Sequence, residues 1–156
     1  MLKIISTKYN ADNFRLVREV RDCVFINEQG ISAEEESDSY DFSADTDFLV
    51  LLEDERPVAT MRIAYMPEHI KIGRIAVMKE CRGKHYGAVI VSSAVKRIFE
   101  SGANVVYLES QKHAVGFYEK LGFTVCGDEL IDRGIVHLPM IVTPESFKGD
   151  KYVKEK

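Results

Sequence analysis

A short segment, ECRGKHYGAV, places basic and titratable side chains beside two glycines. Arg82, Lys84 and His85 lie next to Gly83 and Gly87, after an apolar run typical of a strand and before a pattern typical of a helix. The first turn of a helix has backbone N–H donors without intrahelical acceptors, and the helix macrodipole adds positive potential there. Glycine lets the backbone adopt a positive φ or approach a ligand closely. The segment therefore fits a phosphate or pyrophosphate site, and it fits a surface turn with solvated basic residues equally well.

Tyr118, in the segment HAVGFYEKLG, is a second residue that could do chemistry. A phenol with a pKa of about 10 is protonated at neutral pH and can deliver its proton to a leaving group. The same tyrosine shares a helical face with Ala114, Phe117 and Leu121, and such a stripe is more often part of a core. Spacing alone favours a core position for Tyr118.

The elements that must position these two segments follow from the apolar patterning, which predicts one α/β domain. Strands are predicted over LKIIST, DFLVLLED, VATMRIAY, HIKIGRIAVM and NVVYLES. Helices are predicted over NADNFRLVREVRDCVFINEQ, after ECRGKHYGAV, and over HAVGFYEKLG. FTVCGDEL and GIVHLPMIV are predicted to form a last hairpin around residues 132–134.

The strand HIKIGRIAVM changes the phase of its apolar alternation halfway along. Ile70 and Ile72 alternate, and then Ile75 and Val77 alternate in the opposite phase. One extra residue at Gly73-Arg74 would produce this slip, and the glycine there favours a β-bulge. A bulge would bend the strand and open the sheet beside it.

Composition limits the class of protein. A chain of 156 residues, 46% hydrophobic, can bury a core without disulfides or metal, so we expect one domain over 1–147 and a polar C-terminal tail over 148–156. The net charge of −4 argues against a general nucleic-acid binder. No apolar run approaches the roughly 18 residues of a membrane span, and no signal segment is visible. With three separated cysteines interpreted as reduced thiols, a cytoplasmic protein without a metal, membrane or nucleic-acid partner is predicted.

The stretch between the first predicted helix and the second strand is strongly acidic and contains no Lys or Arg. Its eight acids are Glu28, Glu34, Glu35, Glu36, Asp38, Asp41, Asp45 and Asp47. Most of them fit a solvated loop. A second interpretation is a negative rim that attracts ammonium groups.

Two motifs in register resemble the signatures of one enzyme family. RGKHYGA resembles the acyl-CoA-binding motif of the GCN5-related N-acetyltransferases (the GNAT family), [Q/R]-x-x-G-x-[G/A], with Arg82 first and Gly87 last. AVGFYEKLGF resembles the second family signature, A-x-x-x-Y-x-x-x-G-F, through Ala114, Tyr118 and the terminal Gly-Phe pair. Within the family, VFINEQGISAEEESD, IGRIAV and GIVHLPM resemble the small bacterial ElaA-like branch. The resemblance covers nearly the whole chain.

The resemblance implies an α/β (α+β) fold with a mixed seven-stranded sheet, splayed between strands 4 and 5, and helices on both faces. It implies acetyl-CoA as co-substrate, with the pantetheine arm between the splayed strands. The implied cofactor-binding residues are Ile75, Ala76, Val77, Arg82, Gly83, Lys84, His85, Tyr86, Gly87, Ala88, Gln111, Phe117 and Tyr118. His85 occupies the central glycine position of the motif, where we expect it to be accommodated and to donate to an anion.

The resemblance also implies direct transfer of an acetyl group to a primary amine. A strand-4 backbone N–H would polarise the thioester carbonyl, and Tyr118 would be the general acid for the leaving thiolate. Strand 4 has no Asp or Glu, so the general base is left open between Glu28, Glu109 and a water relay. Glu28 and His137 are expected to contact the acceptor, although His137 fits an ordinary strand histidine equally well.

The acidic stretch favours an acceptor amine with positive charge, either a small metabolite or a protein lysine or N-terminus. A homodimer is left open as an assembly. The alternative function is a non-catalytic acyl-CoA-binding sensor or interaction module. Tyr118 distinguishes the two, because a sensor has no thiolate to protonate.

Overall fold

Eight strands form one mixed sheet in the computed structural model, which describes residues 1–154. The strands are β1 (Leu2–Thr7), β2 (Asp47–Glu53), β3 (Arg56–Tyr65), β4 (Ile70–Val77), β5 (Val106–Gln111), β6 (Thr124–Val125), β7 (Leu130–Asp132) and β8 (Ile135–Val142). Their spatial order is β1-β2-β3-β4-β5-β8-β6, and β7 also pairs with β8. The sheet has one strand more than predicted. In place of one strand over FTVCGDEL there are β6 near its start and β7, which begins at its last residue, and the two pair separately with β8.

Helices cover both faces of the sheet, as predicted. They are α1 (Phe14–Arg21), α2 (Ala33–Glu36), α3 (Tyr86–Glu100) and α4 (Val115–Lys120). Strand β2 shows the two faces most clearly, because Phe48 and Val50 pack in the same cluster as Val17 of α1, whereas Leu49 and Leu51 pack in the α3 cluster. Side chains of a strand point alternately to its two faces, so one apolar strand serves both layers. No helix in residues 1–154 is both long and apolar enough to cross a membrane.

The first helix changes its geometry where the sequence predicts one continuous α-helix. After Arg21 it continues as a π-helical segment, Asp22–Glu28. π-Helical turns are rare and occur often at functional sites. This one presents Val24, Phe25 and Glu28 to the cavity described below.

Strands β4 and β5 separate, which confirms the predicted splay. They are parallel and share one register position, Lys71 opposite Tyr107. The β-bulge is also confirmed, since the register of β3 against β4 shifts between Thr60 and Arg62. Its left-handed residue is Arg74, with φ +49°, rather than the neighbouring glycine.

The segment predicted as a polar C-terminal tail lies partly against α3. Asp150–Tyr152 form a short 3₁₀ helix, and the backbone N–H of Lys154 donates to Ser93 Oγ at 2.8 Å. Residues 155–156 lie outside the described part of the chain.

Candidate active site

A cavity of about 920 Å³ opens where β4 and β5 separate. Its walls come from the π-helical segment, β4, the loop before α3, the first turns of α3 and α4, and the start of β8. It brings together every predicted site residue except Lys84. The side chain of Lys84 instead lies over the Tyr86 ring, 6.0 Å from its centroid.

The N-terminus of α3 forms one end of this cavity. Gly83 and His85 have positive φ, +86° and +65°, and α3 begins at Tyr86 with no side chain capping it. The first-turn N–H groups, including those of Gly87 and Ala88, have no intrahelical acceptor. The loop therefore presents backbone donors at the positive end of a helix dipole, an arrangement that suits an anion.

Gly87 allows α3 to approach the opposite wall closely. A Cβ at this position would lie 3.3 Å from Phe117 Cζ and 3.6 Å from Val77 Cγ2. Glycine is favoured here because little room is left for a side chain. Backbone conformation is not the reason, since the φ angle of Gly87 is not positive.

The side chains of two predicted cofactor residues, His85 and Tyr86, are engaged in contacts with other parts of the protein. The buried Tyr86 hydroxyl donates to a carboxylate oxygen of Glu53, so Tyr86 offers its backbone N–H rather than its phenol. The His85 ring stacks on Tyr152, with centroids 5.6 Å apart. This stacking accommodates a side chain where the motif has glycine.

Strand β4 directs backbone N–H groups toward the cavity, where the Val77 carbonyl oxygen already accepts from Arg82 Nε at 3.1 Å. Met78 N–H donates to Val58 O at 2.9 Å, and N–H directions alternate along a strand, so the backbone groups of Val77 and Ile75 point toward the gap. Ala76 also lines the cavity, but its backbone is paired with Thr60 of β3. Of the three predicted β4 residues, two can therefore donate to a ligand in the gap.

Tyr118 lies at the cavity wall, in the second half of α4. Its ring packs edge-on against Phe117 and Phe123, with centroid distances of 5.0 and 5.7 Å. Burial raises the pKa of Tyr118, so the phenol stays protonated at neutral pH. Its hydroxyl donates to no acceptor among residues 1–154, although a buried phenol usually has a partner. Tyr118 thus belongs to the core stripe and to the cavity at once.

Both glutamates predicted as general bases are ion-paired. Glu28 accepts from Arg82 with both oxygens, at 2.6 and 2.7 Å, and this pairing lowers its pKa. Burial raises the pKa of Glu109, but donation from Lys71 at 2.8 Å and from Tyr107 at 2.9 Å outweighs burial and the net shift is downward. A carboxylate with both oxygens engaged and a lowered pKa is a weak proton acceptor.

Gln111 lies at the cavity edge, where its side-chain amide donates to Gln29 Oε1 at 3.1 Å. This contact joins the end of β5 to the residue that follows the π-helical segment.

His137 is buried on β8 and lines the cavity. Its Nδ1 lies 2.8 Å from the carbonyl oxygen of Ile135. A carbonyl can only accept, so Nδ1 carries the proton and Nε2 holds a lone pair when the ring is neutral. The side chain can therefore accept a proton at Nε2.

Of the eight acids in the acidic stretch, all of which the structure describes, only Glu28 lines the cavity, so the stretch does not form a negative rim around it as we expected. Glu36 and Asp41 are buried, and Arg21 donates to both of them at 2.6 to 2.9 Å. Arg62 donates to Asp41 and Asp38, and Arg74 donates to Asp38 at 3.2 Å. The sequence did not predict these ion pairs, because the arginines come from α1, β3 and β4 and lie 15 to 36 residues away from the acids.

Arg133 is a cavity residue that the sequence did not single out. It lies in the β7–β8 turn, its guanidinium is over the Phe25 ring at 5.4 Å, and its side chain is 8% exposed. The one signal in the sequence is its place in a tight turn, where Asn, Asp or Gly is usual.

Comparisons with known proteins agree with this geometry. Residues 23–144 match the family described as acetyltransferase (GNAT) domain. The chain is 35% identical over 123 residues to the uncharacterized N-acetyltransferase YjcF of Bacillus subtilis strain 168, covering 78% of this chain and 86% of that one.

Solved structures share the fold. Escherichia coli ElaA superposes with a TM-score of 0.79 at 22% identity, covering 91% of this chain and 99% of ElaA. The PaiA N-acetyltransferase of Thermoplasma acidophilum, in complex with coenzyme A, has a TM-score of 0.69 at 17% identity, covering 92% and 99%.

The predicted family, fold and enzyme class are thus confirmed. With a splayed mixed sheet, an uncapped helix N-terminus at the opening and a family match over most of its length, the chain is an acyltransferase that belongs to the GNAT acetyltransferase family.

Proposed function

We propose that this protein transfers an acetyl group from acetyl-CoA directly to a primary amine. The observation that carries the proposal is Tyr118, a protonated phenol without a protein acceptor among the described residues, at the wall of the cavity between β4 and β5. A protein that only binds acyl-CoA has no use for a proton donor at that place.

The loop before α3 and the backbone of β4 fit acetyl-CoA. The uncapped first turn of α3 would hold the pyrophosphate through the N–H groups of Gly87 and Ala88. Ile75 and Val77 would bond the pantetheine arm through backbone groups in the gap. Support comes from the PaiA neighbour, which has the same fold and is in complex with coenzyme A.

Acetyl-CoA, when bound, supplies an acetyl group activated as a thioester. A fixed N–H of β4 polarises the carbonyl oxygen, which stabilises the charge that develops there as the amine attacks. Tyr118 donates its proton to the departing sulfur as the C–S bond breaks. The raised pKa does not prevent this, because the same burial disfavours a free thiolate.

His137 is the best-placed acceptor for the proton that the attacking amine loses. Its Nε2 holds the free lone pair, whereas Glu28 and Glu109 are occupied by Arg82 and Lys71. We therefore assign the general base to His137, acting directly or through a water, in preference to either glutamate. This extends its predicted role as an acceptor-site residue.

The experiment compares wild-type protein with Tyr118→Phe, measuring acetyl-CoA binding by calorimetry and thiol release with a panel of amines. The variant keeps the ring and its packing, so binding should be unchanged while kcat falls by roughly 10² to 10⁴. Tyr65→Phe, at a tyrosine outside the cavity, is the control and should retain wild-type turnover. Equal turnover in wild type and Tyr118→Phe would remove Tyr118 from the mechanism and favour the sensor alternative.

A further inference from the structure

Arg133 occupies a backbone position that arginine rarely takes. The two-residue turn between β7 and β8 has φ of +54° at Arg133 and +75° at Gly134. Such turns favour Asn, Asp or Gly at both positions, since a Cβ is strained at positive φ. The conformation of the turn therefore does not explain why the residue is arginine, and the explanation must come from the contacts of its side chain.

Part of the Arg133 guanidinium is buried without hydrogen-bond acceptors. Among residues 1–154, its Nε and Nη1 have no hydrogen-bond partner. Asp132 Oδ2 is 3.4 Å from Nε, a distance that counts as an ion pair but without the geometry of a hydrogen bond. The Phe25 ring covers one face. Burying a charged donor without an acceptor costs free energy that an anionic ligand would recover.

A second buried guanidinium, that of Arg74, lies in the same cavity wall, where it donates to Asp38 and to the Glu36 carbonyl oxygen. The side chain of Arg74 is 7% exposed and lines the same cavity, and Glu28 and Glu109, the acids that line it, are both paired elsewhere. Burial and the neighbouring Arg62 and Arg133 lower the pKa of Arg74 to about 10, so it stays charged at neutral pH. Glu28 and Glu109 are therefore not available to Arg133, and Asp132 is the one carboxylate in residues 1–154 within ion-pair distance of it.

We propose that the acetyl acceptor is an amine that also carries an oxyanion group, and that Arg133 binds this group. Carboxylate and phosphonate both match the planar fork of a guanidinium. His137 lies on the adjoining strand and also lines the cavity, so one hairpin would hold the oxyanion and receive the amine's proton. This inference rests on the proposed function and replaces the expectation of a purely cationic acceptor.

The test uses matched acceptors on the full-length protein with acetyl-CoA. The common L-amino acids and a set of aminoalkylphosphonates are compared with the corresponding neutral carboxamides and amines, and thiol release gives kcat/KM for each. At least one anionic amine should exceed its neutral counterpart by on the order of 100-fold. The comparison of kcat/KM between the amino acids and the aminoalkylphosphonates shows whether the site prefers a carboxylate or a phosphonate.

Three variants assign the effect to Arg133. Arg133→Gln should lower kcat/KM for the anionic acceptor about 100-fold and leave both the neutral acceptor and the KM for acetyl-CoA unchanged. Arg133→Lys keeps the charge and should retain part of the preference if the glutamine variant folds poorly. Arg56→Gln, at an exposed arginine outside the cavity, should behave as wild type.

The outcomes separate this inference from the proposed function. If acetyl-CoA binds and the neutral amines are used as well as the anionic ones, or no anionic amine is acetylated, the inference is wrong while cofactor binding stands. Equal losses for both acceptor classes in Arg133→Gln would also overturn it. If acetyl-CoA does not bind, the proposed function fails, and protection from thermal unfolding by the anionic amines, lost in Arg133→Gln, then decides the inference alone.

Discussion

Arg82 donates to both carboxylate oxygens of Glu28, from Nη1 at 2.6 Å and from Nη2 at 2.7 Å, while its Nε donates to the carbonyl oxygen of Val77 at 3.1 Å. The first residue of the acyl-CoA motif is thus tied to the π-helical segment across the mouth of the cavity. Its charge is offset by a carboxylate at the place where pyrophosphate would bind.

Replacing Glu28 with glutamine should tighten acetyl-CoA binding. The change removes the charge that competes for Arg82, and we expect the Kd to fall by about two- to fivefold, or less than about 1 kcal/mol. The gain should shrink at high salt. Calorimetric titrations at two ionic strengths measure it. If turnover instead dropped by about two orders of magnitude or more while the Kd stayed unchanged, Glu28 would be the general base.

Replacing His85 with glycine should change acetyl-CoA affinity by no more than about threefold. The His85 ring is engaged with Tyr152, and glycine accepts the positive φ without strain, so the free energy of unfolding should change by less than about 1 kcal/mol. His85→Ala is the matched variant, because it removes the ring and keeps the Cβ. Affinity losses of about 10-fold or more in both variants would show that the imidazole bonds the pyrophosphate.

Replacing Gly87 with alanine should weaken acetyl-CoA binding on the order of tenfold, about 1.4 kcal/mol. The new Cβ would press on Phe117 and shift the start of α3, although alanine suits a helix better than glycine. Titration with acetyl-CoA measures the effect, and Gly87→Ala combined with Phe117→Leu should recover part of it. A more stable variant with wild-type affinity would show that the close approach is unimportant.

Stability should fall at acidic pH through the buried ion-pair network. Burial raises the pKa of Asp41, but Arg21 and Arg62 outweigh burial and lower it to about 2. A carboxyl whose pKa is lower in the folded than in the unfolded state stabilises the fold above its unfolded pKa and loses that contribution as pH falls. We expect roughly 2 kcal/mol to disappear between about pH 4 and pH 2 from this group. Urea unfolding across that range measures it.

Asp41→Asn provides the control for this pH dependence. It should destabilise the protein at neutral pH by about 3 to 5 kcal/mol, because two buried guanidinium groups lose a charged partner. The variant should also show a shallower loss of stability below about pH 4. An equally steep loss would assign the acid sensitivity to Glu36 or Asp38.

The sequence by itself was enough to predict most strands and helices, the turn before α3 and the motif around Tyr118. Apolar alternation with a phase change located the β-bulge, and glycines beside basic residues predicted an anion-binding turn, because backbone geometry and helix termini depend on neighbouring residues. The motif around Tyr118 predicted a chemical role, which helical spacing alone could not distinguish from core packing.

Only the tertiary structure showed which charged residues form ion pairs with each other. Glu28 and Glu109 have no obvious basic partner close by in the sequence. In the structure Glu28 pairs with Arg82, 54 residues away, and Glu109 pairs with Lys71, 38 residues away. Part of the acidic stretch, around Glu36 and Asp41, became a buried network, and Arg133 was left without a hydrogen-bond acceptor among residues 1–154. Electrostatic partners depend on distance in space and on burial, so the fold had to be known before the acceptor side of the site could be interpreted.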